Sequence, residues 1–135
     1  MFVAPQALFG KRVLIVEDEL IMAMLIEDFL LECGCIPIGP HSNVATALGG
    51  VLMEMPDLAV LDVNLAGEMV YPVAHALDRL SIPFLLMSGY GEDAAPAEFS
   101  HWRVCAKPFT GEDLVARLAA LIDDAALLPP EAATV

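Results

Sequence analysis

The amino-acid sequence predicts an α/β domain in which a doubly wound parallel sheet carries helices on both faces. Three observations point there. Short apolar, β-branched runs alternate with stretches of helical periodicity, the pattern of strands joined by helical crossovers. Those runs are apolar at consecutive positions, as in strands buried on both faces. The chain has 135 residues, 58% of them hydrophobic and 19% charged, with a mean hydropathy of +0.67. That is the length of one domain and too apolar a composition for disorder.

The elements follow in order. Residues 1–10 read as a short leader. Residues 12–17 (RVLIVE) are the first buried strand. A helix over 19–33 sets Met22, Leu25, Ile26, Phe29, Leu30 and Cys33 on one face, and Gly34 supplies its stop. A short second strand covers 35–39. Ser42 is the expected cap of a second helix, which ends before Pro56. Residues 57–62 (DLAVLD) are a third strand ending in an acid. A third helix is expected over 69–80 and a fourth strand over 82–87 (IPFLLM). In 91–100, Pro96 and small residues leave at most a turn or two of helix. The fifth strand is 102–106, and Thr110 with Asp113 caps a last helix lined by Leu114, Leu118 and Leu121. The folded domain thus spans 11–123, and 124–135, with Pro129 and Pro130, reads as a flexible tail.

Composition excludes several classes of function. Six Lys and Arg face nineteen Asp and Glu, a net charge of −13. So few scattered cations cannot form the basic patch that nucleic acid or anionic lipid requires. No run of about 18 apolar residues is free of charge, Gly and Pro, so no membrane span is expected. The first ten residues are too weakly patterned for a signal peptide. Cys33, Cys35 and Cys105 are odd in number and lack CxxC spacing, which argues against a zinc site or a disulfide scaffold and for a reducing, cytoplasmic setting. His41, His75 and His101 share no ligand spacing.

In doubly wound sheets the site lies beyond the carboxyl ends of the strands. Used as a filter, this rule selects Glu17, Asp18 and Glu19 after the first strand, Asp62 and Asn64 after the third, Ser88 to Tyr90 after the fourth and Lys107 after the fifth. Carboxylates crowded on one rim raise one another's pKa values or recruit a cation. An all-oxygen donor set suits Mg²⁺. A carboxylate flanked by Mg²⁺, an ammonium and a hydroxyl is built to hold a phosphoryl group. Asp62 is then the nucleophile that forms an aspartyl phosphate, with Mg²⁺ and Lys107 offsetting the charge on the transferred oxygens.

The motifs VLIVEDE (13–19), PDLAVLDVNLAGE (56–68), LLMSGYG (85–91) and AKPF (106–109) resemble those of response-regulator receiver domains over about residues 12–122. The resemblance implies a flavodoxin-like five-stranded sheet of order 2-1-3-4-5. It implies Asp62 as phosphoacceptor, Glu17 and Asp18 as the acid pair, the Asn64 backbone carbonyl as a further metal ligand, Ser88 as the switch hydroxyl and Lys107 as the phosphate-contacting lysine. The bond before Pro108 is often cis in this family. IPFLLMSGYG is similar to receivers whose fourth strand ends in Pro-Phe-x-Phe-Ala-Thr-Gly-Tyr, mostly single-domain regulators of bacterial signalling paired with sensor kinases of the HWE and related classes. Two residues depart from the pattern. Glu17 stands where most receivers have Asp, and Val104 stands where most have Tyr or Phe. Without that ring, Tyr90 and Trp102 are the aromatic switch candidates.

The resulting expectation is a stand-alone, cytoplasmic response regulator. It accepts a phosphoryl group from a sensor histidine kinase or phosphotransfer protein and signals through a downstream protein, since the 13 residues after Ile122 hold no effector domain. It is not an enzyme in the usual sense. An aspartyl phosphohydrolase would need a second acid two residues after the nucleophile, where Asn64 stands. Two rival readings of the same residues are a receiver-like binding module that is never phosphorylated and the receiver portion of a hybrid kinase.

Overall fold

A computed structural model describes residues 4–89 and 101–126. Five strands form a parallel sheet: β1 (Arg12–Val16), β2 (Ile36–His41), β3 (Leu58–Asp62), β6 (Phe84–Ser88) and β7 (Arg103–Ala106). Their spatial order is β2-β1-β3-β6-β7, the flavodoxin-like 2-1-3-4-5. A two-residue ribbon pairs β4 (Asn64–Leu65) antiparallel to β5 (Glu68–Met69). The helices are α1 (Leu20–Glu32), α2 (Val44–Glu54), α3 (Tyr71–Arg79) and α4 (Gly111–Ala126), preceded by a 3₁₀ turn at Gln6–Leu8.

The sheet separates two cores. On one face Leu14, Val16, Ala59, Leu61 and Leu86 pack under α2 and α3. On the other, Val13, Ile15, Val60, Met87 and Cys105 pack under α1 and α4. Successive strand residues point to opposite faces, and both faces are covered, which is why Val13–Val16, Leu58–Leu61 and Phe84–Met87 are unbroken apolar runs. Leu8, in the segment read as a leader, is fully buried in the α1/α4 core. At the other end α4 continues to Ala126, into the stretch read as tail.

Several expectations need correction. The second helix is capped by Asn43, whose side chain accepts from the Thr46 amide, and not by Ser42. The third helix starts at Tyr71, because Glu68 and Met69 pair back onto Leu65 and Asn64 and Pro72 suits only a first turn. The second strand runs on to His41 through Pro37 and Pro40, which an edge strand tolerates. On α1 the core face holds Ala23, Ile26, Leu30 and Cys33, while Leu25, assigned to that face, is 45% exposed. Gly34 ends α1 as expected, at a left-handed φ of 75°. Thr110 caps α4 by accepting from the Asp113 amide at 3.0 Å. The weak helix at 91–100 lies outside the described residues.

Candidate functional site

Strand register brings the rim together. Val16 of β1 lies opposite Leu61 of β3, so the next residues, Glu17 and Asp62, stand abreast. Asp62 lies opposite Met87 of β6, and the Val63 amide donates to the Met87 carbonyl at 3.0 Å. Ser88 lies opposite Ala106 of β7, and the Lys107 amide donates to the Ser88 carbonyl at 2.8 Å. Four expected residues, Glu17, Asp62, Ser88 and Lys107, therefore occupy neighbouring strand ends. Asp18 follows Glu17 before α1 begins.

The side chains converge as well. Lys107 Nζ lies 3.3 Å from Asp62 Oδ1 and 3.7 Å from Glu17 Oε2. Glu17, Asp18 and Asp62 each offer a carboxylate oxygen within 4.8 Å of the others. Glu17, Asp62 and Ser88 are the buried polar residues among those described, at 3%, 7% and 2% exposure, whereas Asp18 is exposed. Beside Asp62 opens a depression of about 540 Å³ walled by Asn64, Ala66, Gly67, Gly89 and Lys107.

Burial raises the Glu17 pKa from 4.5 to about 7; the Glu19 amide lowers it, Asp62 raises it, and Lys107 pulls it down. The Glu19 amide donates to Glu17 Oε1 at 3.1 Å, while Glu17 Oε2 is buried with no hydrogen-bond partner among the described residues. A buried oxygen that Lys107 Nζ approaches only to 3.7 Å, beyond hydrogen-bond reach, within a cluster of three carboxylates fits a bound cation. Oxygen donors with one exposed member suit a hard ion that keeps some of its waters.

Asn64 sits at the start of the β4–β5 ribbon, where its side-chain Oδ1 accepts from the Gly67 amide at 2.6 Å. That turn, with Ala66 and Gly67 both at positive φ, holds the wall of the depression in place. The ribbon and its Glu68, whose Oε1 accepts from the Val44 amide at 3.1 Å, were not anticipated from sequence. The NLAG tetrapeptide next to the acid was the available signal.

Trp102 is not at this rim. It precedes the first residue of β7, so it lies at the amino edge, about four strand residues or roughly 13 Å from Ala106. It is buried edge-on to Phe84 and His75, with ring centroids 5.4 and 5.2 Å away. Parallel strands all start at the edge opposite the site, which is why a residue opening the fifth strand cannot sit beside Ser88. Tyr90 lies outside the described residues. Val104 is buried against the α2/α3 core. The Lys107–Pro108 bond is cis, as the resemblance implied.

No family model matches the chain, and no curated protein does. Solved structures do. SdrG from Sphingomonas melonis Fr1 is 39% identical, with a TM-score of 0.72 over 85% of this chain and 97% of that one. The BeF3-activated conformation of SdrG from Pseudomonas melonis Fr1 is 42% identical, with a TM-score of 0.70 over 82% and 95%. The PhyR response regulator REC domain of Erythrobacter litoralis shares the fold, at 23% identity and a TM-score of 0.69 over 92% and 95%. No helix among the described residues is long and apolar enough to cross a membrane.

Proposed function

The chain belongs to the family of response-regulator receiver domains, and from that premise we propose that it accepts a phosphoryl group on Asp62 from a sensor histidine kinase or a phosphotransfer protein. The observation that carries this reading is the setting of one carboxylate. Asp62 is buried, has an ammonium 3.3 Å from Oδ1, shares its oxygens' neighbourhood with Glu17 and Asp18, and borders an open depression.

In the transfer, an Asp62 oxygen attacks phosphorus while the P–N bond to the donor imidazole breaks. The electron pair stays on that nitrogen, which takes up a proton, and the phosphoryl group ends as an acyl phosphate on Asp62. Lys107 stands beside the attacking oxygen and offsets charge on the transferred oxygens. The Ser88 hydroxyl supplies a hydrogen bond to one of them. Glu17, Asp18, Asp62 and the Asn64 carbonyl would hold Mg²⁺, which when bound neutralises further charge on the phosphoryl oxygens. The chain is thus an acceptor that assists its own phosphorylation, not an enzyme acting on a separate substrate.

Phosphorylation shifts an existing equilibrium. Ser88 is the group drawn to the phosphoryl oxygens, and Tyr90 two residues on carries the change to a downstream protein. A cytoplasmic setting accords with this role and with three free, buried cysteines. The test is phosphotransfer from a labelled, phosphorylated kinase in Mg²⁺: wild type takes up label and Asp62→Asn takes up none. Uptake by Asp62→Asn at the wild-type level would remove the assignment.

A further inference from the structure

We infer that Glu68 is a positioning residue for the acidic cluster, holding the two walls of the site together through the His41–Val44 connection. This deepens the reading above and rests on it, since it takes Glu17, Asp18, Asp62 and the Asn64 carbonyl as the cation's ligands.

Two bonds meet in that connection. At one end the His41 carbonyl accepts the Glu17 amide at 2.9 Å, fixing the backbone that carries the buried acid. At the other end the Val44 amide donates to Glu68 Oε1 at 3.1 Å. Val44 opens α2, so its amide has no partner within the helix, and a carboxylate there also meets the positive end of the helix. Glu68 belongs to the ribbon that begins at Asn64, two residues after Asp62. Leu65 anchors the near strand of the ribbon in the core, whereas residues 66–69 are exposed. Glu68 therefore supplies a side-chain fastening for the far strand, and it ties that strand to the segment that already fixes Glu17. Beyond the pairing of β1 with β3, the wall bearing Asn64 and the wall bearing Glu17 are joined a second time, through four residues, 41–44.

The geometry yields a two-sided test on the full chain. Glu68→Ala removes the acceptor. Val44→Pro removes the donor at a first helical position that favours proline, after an Asn43 whose extended backbone (φ −148°, ψ 166°) a following proline permits. Glu68→Gln keeps an acceptor oxygen. Calorimetric titration with MgCl₂ should show the dissociation constant raised about tenfold by either cut, with Glu68→Gln recovering most of the loss. Amide exchange in metal-free Glu68→Ala should speed up at Gly67 and Val44 while Leu118, within α4, stays protected. Unchanged Mg²⁺ affinity in both Glu68→Ala and Val44→Pro would overturn the inference, as would a Gln variant no better than Ala. Wild type without Mg²⁺ affinity, or Asp18→Ala binding as tightly as wild type, would instead overturn the reading of the cluster, and this inference with it.

Discussion

Metal-free protein should lose stability as pH rises from 4.5 to about 7, and Glu17 is the cause. Its side chain is about 1% exposed, and burial, partly countered by the Glu19 amide, raises its pKa from 4.5 to about 7. A carboxyl whose value is raised on folding holds a proton in the folded state that the unfolded chain has released. Between pH 4.5 and about 7 the folded state therefore binds more protons, so unfolding free energy falls as pH rises through that window. The span corresponds to about 3 kcal/mol, fully lost above pH 7. Glu17→Gln keeps the shape and carries no charge to bury. In EDTA, urea unfolding of this variant should match wild type near pH 4.5 and exceed it by up to about 3 kcal/mol at pH 8. Adding MgCl₂ at pH 8 should narrow the gap by stabilising wild type more than the variant. A difference between the two that stays constant from pH 4.5 to 8 would refute the reasoning.

Two other outcomes follow from the packing. Leu20, Ile21, Met24 and Leu31 on α1 are each more than half exposed, and a contiguous apolar surface marks an interface; Met24→Glu should slow phosphotransfer from the kinase while leaving uptake from a small-molecule phosphodonor intact, and equal loss of both would indicate misfolding. At the start of α4, a Cβ built on Gly111 would lie 2.5 Å from the Phe29 ring; Gly111→Ala should lower stability by about 1–3 kcal/mol through overpacking, against a helix-propensity gain of under about 1 kcal/mol, and a raised melting temperature would show that the ring moves aside at no cost.

The rim was legible because it needs only one rule and one pattern. Glu17, Asp62, Ser88 and Lys107 each end or follow an apolar run, and parallel strands put all such ends on one edge. The rim's inner wall was not legible. A ribbon of two-residue strands is too short for any periodicity, and Ala66 at a φ of 54° is an unusual hairpin residue, where Asn or Asp would have signalled the turn. The contact of Glu68 with Val44 spans 24 residues and has no local signature. On α1, spacing alone admits both Ala23 and Leu25 to a buried face. Hydrophobicity favours Leu25, yet the residue buried in the core is the small Ala23, 1% exposed, while Leu25 is turned outward. Trp102 shows the converse limit: its identity suggested a role, but the direction of the parallel strand decides its place, at the edge away from Asp62.

The central claim is that Asp62, alone among nineteen acidic residues, carries the phosphoryl group. An acyl phosphate is reduced by borohydride to the corresponding alcohol, which converts a phosphorylated Asp to homoserine. Wild type phosphorylated by its kinase in Mg²⁺, reduced and sequenced by mass spectrometry, should show homoserine at position 62 and nowhere else. A reduced residue at Glu17 or Asp18, phosphate retained on a histidine or serine, or an unmodified Asp62 in protein that has taken up label would contradict the account.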